Sequence, residues 1–204
     1  MVDPRKISLR RPSRMDGWCP TFTGTGFYPI VPRVEDVRIQ DIARGLAYKY
    51  RFGGHSDPPI TVAEHSVLVS RVIEILWPKS KQMLPGLLHD ACEAFTQDIQ
   101  GPLRAFIKVS HPNGQLITWG DMERSINQVV GKALGIKQDF YSSPEVEAAD
   151  ILTLVVEKAS CPNLRVGNWG LPRCPTELQD LKVEFLSPQT AFDTFLGRYH
   201  ALTS

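Results

Sequence analysis

Polar side chains set inside apolar helical runs constrain this chain more than any other feature of it. Residues 87–98 read LLHDACEAFTQD, so an apolar run delivers His89 and Asp90 together, and Glu93 and Asp98 follow within nine residues. The stretch 62–77, VAEHSVLVSRVIEILW, carries His65 with Leu68, Val69, Val72 and Leu76 at helical spacing. The stretch 148–156, AADILTLVV, carries Asp150. Isolated buried carboxylates are costly, and they persist in a core when they are paired or bind a metal. Three separate apolar helices each carry such an intrusion, which is a reason for them to meet.

The remaining pattern is also helical. Asp36 is expected to cap a helix carrying Val37, Ile39, Ile42, Ala43 and Leu46. RFGGH (51–55) and DPP (57–59) break it. Thr61 then reads as an N-cap with Glu64 at the capping-box spacing, and Pro78 ends the helix that follows. The next helix is expected from about Lys81 to Phe95, with Pro85 tolerated in its first turn. A long helix over Gln115–Leu134 closes at Gly135, and Pro144 starts another. Residues 161–187 read as loop and about 188–201 as a last helix. Strand-like alternation is scarce, so the fold class expected is all-α. Residues 1–34 hold a basic arm (Arg5, Lys6, Arg10, Arg11, Arg14) and the segment GWCPTFTGTGFYPIVP, which reads as a short hairpin or ordered loop. With 35–204 they are expected to make one domain.

Composition narrows the function. A formal net charge of +1 argues against broad electrostatic binding to a nucleic acid polymer, which needs a basic face. Cys19, Cys92, Cys161 and Cys174 form no Cys-x-x-Cys pair, so neither a disulfide framework nor a thiolate zinc site is indicated. The basic start lacks a following apolar stretch, and no window reads as a membrane span. A reducing cytoplasm is the expected setting.

One divalent cation would satisfy His65, His89, Asp90 and Asp150 together. Imidazole plus carboxylate suits Zn, Mn, Fe, Co or Ni without choosing among them, and two imidazoles disfavour a pure Mg or Ca site. Glu93 shares one helical side with His89 and Asp90. A carboxylate one turn beyond the ligands is placed to orient a water.

The order EHS (64–66), HDACE (89–93), Asp98 and AD (149–150) resembles the H…HD…D pattern of the HD-domain metal-dependent phosphohydrolases, an all-α helical family. It looks most like their small 5′-deoxynucleotidase branch. The stretch TFTGTGFYPIVPRVEDVRIQDIARGLAYKYRFGGH is similar to the phage-type dATP triphosphohydrolases. The resemblance covers roughly residues 21–160. It implies His65, His89, Asp90 and Asp150 as metal ligands, Glu93 as the residue that positions or activates water, and Asp98 as its assistant or the acid for the leaving oxygen. It implies Arg51 as a phosphate contact, and a homo-oligomer. A triphosphate needs further cations, for which Arg104 and Lys108 are the candidates, with an additional Mg on the substrate. Trp18, Phe22, Phe27 and Tyr28 offer a stacking face for a nucleobase, Phe22 foremost, while His55 reads as structural. The expected activity is hydrolysis of a dNTP, dATP above all, to deoxynucleoside and triphosphate. The rivals are a 5′-deoxynucleotidase and a non-catalytic nucleotide-binding module. Hydrolysis of an alarmone or cyclic dinucleotide ranks lower, because no GYP element follows the HD pair.

Overall fold

A computed structural model of the chain describes residues 17–137 and 139–204, so the basic arm lies outside the described residues. These residues form an all-α fold with two minor hairpins. The helices are α1 (Ile39–Ala47), α2 (Val62–Leu76), α3 (Met83–Leu88), α4 (Gly101–Arg104), α5 (Trp119–Ala133), α6 (Pro144–Ser160) and α7 (Pro188–Thr203). The hairpins pair β1 (Cys19–Pro20) with β2 (Gly26–Phe27) and β3 (Lys108–Ser110) with β4 (Leu116–Thr118), both antiparallel.

Helix α2 is the centre. From Val62 to Ile73 only Arg71 escapes full burial, the mark of a helix packed on every side. Val62 and Val67 enter one apolar cluster, Leu68 a second, and Val69, Val72 and Ile73 a third. Helices α1, α3, α6 and α7 pack around it. His65 is therefore fixed in the middle of the molecule, where neighbouring helices can bring other groups to it.

The ends of the helices depart from the sequence reading in instructive ways. Asp36 does not cap α1. It sits in a 3-10 turn, Val34–Asp36, and pairs with Arg33 at 2.6 Å. Thr61 does cap α2, accepting from the Glu64 amide at 3.1 Å. The Glu64 carboxylate, however, does not turn back on Thr61. It accepts from the amides of Glu184, Phe185 and Leu186 at 2.7, 2.9 and 3.1 Å, anchoring the end of the long 161–187 loop. Removing the acceptor strands three amides, so Glu64→Ala is expected to cost about 1–3 kcal/mol or more, with the denaturant slope unchanged in urea titration.

The helix expected from Lys81 to Phe95 stops at Leu88 and resumes as a 3-10 turn, Ala91–Ala94. Asn127 of α5 explains the break. Its amide oxygen accepts from the Cys92 amide at 3.1 Å and its Nδ2 donates to the His89 carbonyl at 3.2 Å, taking the bonds a continuous helix would use. Residues 116–118, read as helix, form β4 instead. Thr118 then caps α5 through a full capping box with Asp121. Gly45 allows α1 to lie against the 91–94 turn: a Cβ there would meet the Ala94 carbonyl oxygen at 2.5 Å.

Candidate metal centre and adjoining cleft

Helix α2 supplies His65, the break after α3 supplies His89 and Asp90, and α6 supplies Asp150. Their side chains converge. His65 Nε2 and His89 Nε2 are 3.3 Å apart. Asp150 Oδ1 is 3.1 Å from His65 Nε2 and 3.8 Å from His89 Nε2. Asp90 Oδ2 is 3.2 Å from His89 Nε2 and 3.6 Å from His65 Nε2. One ligand atom each from His65, His89 and Asp150 lies within 4.8 Å of the others. Asp90 reaches both imidazoles but falls outside that mutual set.

The groups behind the imidazoles decide which nitrogen carries the proton. His89 Nδ1 lies 2.8 Å from the Gly86 carbonyl, which can only accept. His65 Nδ1 lies 2.9 Å from Glu157 Oε1, a carboxylate that Arg51 also pairs at 3.1 Å. Both Nδ1 atoms must donate, so the two Nε2 atoms of neutral rings present lone pairs to each other and to two carboxylates. Only positive charge reconciles four acceptors so placed. Donors about 2.0–2.2 Å from one ion stand roughly 3.0–3.4 Å apart in neighbouring positions; the separations of 3.1, 3.2 and 3.3 Å fall in that range, and those of 3.6 and 3.8 Å lie beyond it. The residues therefore fit a divalent cation of the imidazole-accepting class.

The charges agree. Burial and Arg51 both act to lower the pKa of His65, yet Glu157 and Asp150 override them and raise it to about 9. Burial opposes ionisation of Asp90, but His89 and His65 hold it well below the usual range. Glu93 behaves oppositely. Burial, then Asp90 and Asp98, push its carboxyl well above the usual range, and its Oε2 is buried without a partner among the described residues. Asp98 is also raised, by burial first, with Arg51 opposing and Asp90 reinforcing.

Glu157 escaped the sequence reading. It is fully buried, 92 residues from His65 in the chain, and joins His65 to Arg51. The available signal was spacing: Asp150 and Glu157 are two helical turns apart on one face. Such outer partners set imidazole orientation, and Glu157→Gln is expected to weaken metal binding about 10–100-fold in chelator competition.

A cleft of about 800 Å³ adjoins the centre, walled by β1 and the turn after it, by α1 and by residues 94–98. Asp98 and Phe22 line it, and Trp18 does not: Trp18 packs over Gly26 of the hairpin. Phe27 is buried in the core, stacked on Phe95 at 3.6 Å, and Tyr28 lies under Arg33. The candidate ligands are not among the lining residues, but Asp98, which is, lies close enough to feel the charges of Asp90 and His65. Arg104 is paired with Glu123, and Lys108 is exposed on β3; neither lines the cleft. The cations that do are Arg44 and Lys49, which the sequence reading passed over. His55 is exposed, and its carbonyl accepts from Asn163.

No family profile matches the chain. It is similar to the uncharacterized protein YfdR of Escherichia coli K12, 28% identical over 183 residues, which span 90% of this chain and 94% of that one. An uncharacterized protein of Rhodobacter capsulatus is 35% identical over 94 residues, 44% of this chain and 48% of its own. Among the described residues, no helix is long and apolar enough to cross a membrane.

Proposed function

We propose that this chain is a metal-dependent phosphohydrolase of deoxynucleotides, releasing triphosphate from a dNTP, with dATP the foremost substrate. One observation carries the reading: two imidazoles with locked Nδ1–H groups face each other at 3.3 Å beside two carboxylates, next to a cleft that ends at Asp98. His65, His89, Asp90 and Asp150 would hold the ion. When bound, the ion would supply Lewis acidity to a phosphoryl oxygen and to water, and positive charge that favours the carboxylate form of Glu93.

The protein's own groups account for the protons. Glu93 takes a proton from water as the water oxygen bonds to the α-phosphorus. Asp98, whose proton affinity is raised by burial and Asp90, delivers a proton to the 5′-oxygen as the P–O5′ bond breaks. Arg51 keeps donors beyond the one held by Glu157, among them an unpartnered Nε, for the phosphate.

A second reading, a 5′-deoxynucleotidase, is favoured by the commitment of Arg104 to Glu123 and by the exposed position of Lys108, which leave the two expected triphosphate cations outside the cleft. A product assay separates the readings. Metal-supplemented protein is incubated with each dNTP and dNMP, and products are resolved by ion exchange. Deoxyadenosine with intact triphosphate supports the first reading. Phosphate from monophosphates alone supports the second. No turnover with any metal excludes both and leaves a binding module.

A further inference from the structure

Among the described residues the Arg44 side chain makes no hydrogen bond or ion pair, unlike those of Arg51 and Arg104, which pair with Glu157 and Glu123. Its guanidinium carbon lies 3.6 Å over the Tyr48 ring and 5.1 Å over the Phe22 ring. Both rings line the cleft with it. The faces of the guanidinium are therefore covered, which fixes its plane and leaves its N–H edge as the part able to bind. The nearest acid on the same helix, Asp41, is already occupied. Its oxygens accept from the Thr23 amide at 2.7 Å and from the Thr23 hydroxyl at 2.9 Å, so it holds the turn carrying Phe22 and does not neutralise Arg44. Phe22 is braced from another side by Phe192, with ring centroids 5.8 Å apart at 69°.

Lys49 stands in the same cleft, four residues beyond Gly45. Its ammonium donates to the Ala94 carbonyl at 2.7 Å and more weakly to that of Gly45 at 3.4 Å. An ammonium has three donors, so one remains. Two cations with free donors, one of them a pre-set fork, call for a ligand with more than one negative charge. A nucleobase edge, being neutral, would leave both positive charges uncompensated.

We infer that Arg44 and Lys49 form a polyphosphate-binding pair in this cleft, held ready by Phe22, Tyr48 and the Asp41–Thr23 clasp, so that the ligand is a nucleoside polyphosphate rather than a monophosphate. This rests on the hydrolase reading for the identity of the nucleoside, though not for the anion. It also gives Phe22 a different task from base stacking: one face of its ring is spent on Arg44.

The probe is inorganic tripolyphosphate, titrated calorimetrically into the metal-supplemented full chain. Wild-type protein should bind it, and Arg44→Gln should weaken binding about 10- to 100-fold, since each lost charge-assisted contact is of that order. Lys49→Gln should do likewise. Because Lys49 also holds the 91–94 turn, Arg44→Lys is the companion variant: it keeps charge without the fork and should fall between wild type and Arg44→Gln. Absence of tripolyphosphate binding by the wild type overturns the inference. So does unchanged binding in Arg44→Gln with a loss confined to one nucleobase, which would assign Arg44 to base reading. Tripolyphosphate binding that depends on Arg44, in a protein that hydrolyses no nucleotide, supports the pair while removing the hydrolase. Hydrolysis of dNTPs with a KM indifferent to Arg44→Gln removes the pair while keeping the hydrolase.

Discussion

Alanine at His65 or His89 is expected to yield protein that purifies without divalent metal, read by elemental analysis of dialysed samples. The remaining imidazole and two carboxylates then lack the geometry that brings one nitrogen within 3.3 Å of the other. Loss of an outer partner already costs about 10–100-fold in metal affinity, and loss of a direct ligand should exceed that. His65 is fully buried, so its replacement also opens a cavity. Asp150→Asn is the cleaner companion, because its side chain is 45% exposed and the change preserves shape. Wild-type metal content in all of these variants would exclude the ligand assignment.

The second large effect belongs to Glu93. Glu93→Gln is expected to retain metal and to lose turnover by about 10²–10⁴, the usual worth of a positioned proton acceptor. Its fold should survive, since the carboxyl is pushed toward its neutral form by burial and by Asp90 and Asp98, and an amide is close to that form in shape. Metal content and melting temperature equal to wild type, with activity gone, is the expected result. Undiminished turnover would remove Glu93 from the chemistry.

The cluster that could hold a metal ion was the legible part of this chain. His65, His89, Asp90 and Asp150 stand out because each interrupts an apolar run, and burial makes such interruptions conspicuous. The cleft was not legible, for a related reason. Arg44 lies in the last turn of α1 and Lys49 just beyond its end, where a basic residue is unremarkable, and the meaning of Arg44 comes only from Tyr48, Phe22 and Asp41 around it. Arg104 misled because its partner Glu123 is on another helix, invisible to local spacing. Glu64 misled because two sets of donors competed for one carboxylate: the capping-box amide was local, and the three amides at 184–186 took it. The break after Leu88 was hidden by a sequence that suits a helix throughout, and Asn127 overrides it.

That break has a further consequence. In an unbroken helix the His89 carbonyl would be satisfied by the amide four residues on. Here the Glu93 amide turns to Asp90 at 2.9 Å, and the His89 carbonyl depends on α5. The segment bearing His89, Asp90 and Glu93 is thus tied to a side chain thirty-eight residues from His89 in sequence. Any opening of α5 that breaks the two Asn127 bonds also releases the His89 carbonyl and the Cys92 amide. A substitution at Asn127 therefore reaches the backbone beside His89 and Asp90 from a distance, without altering either side chain.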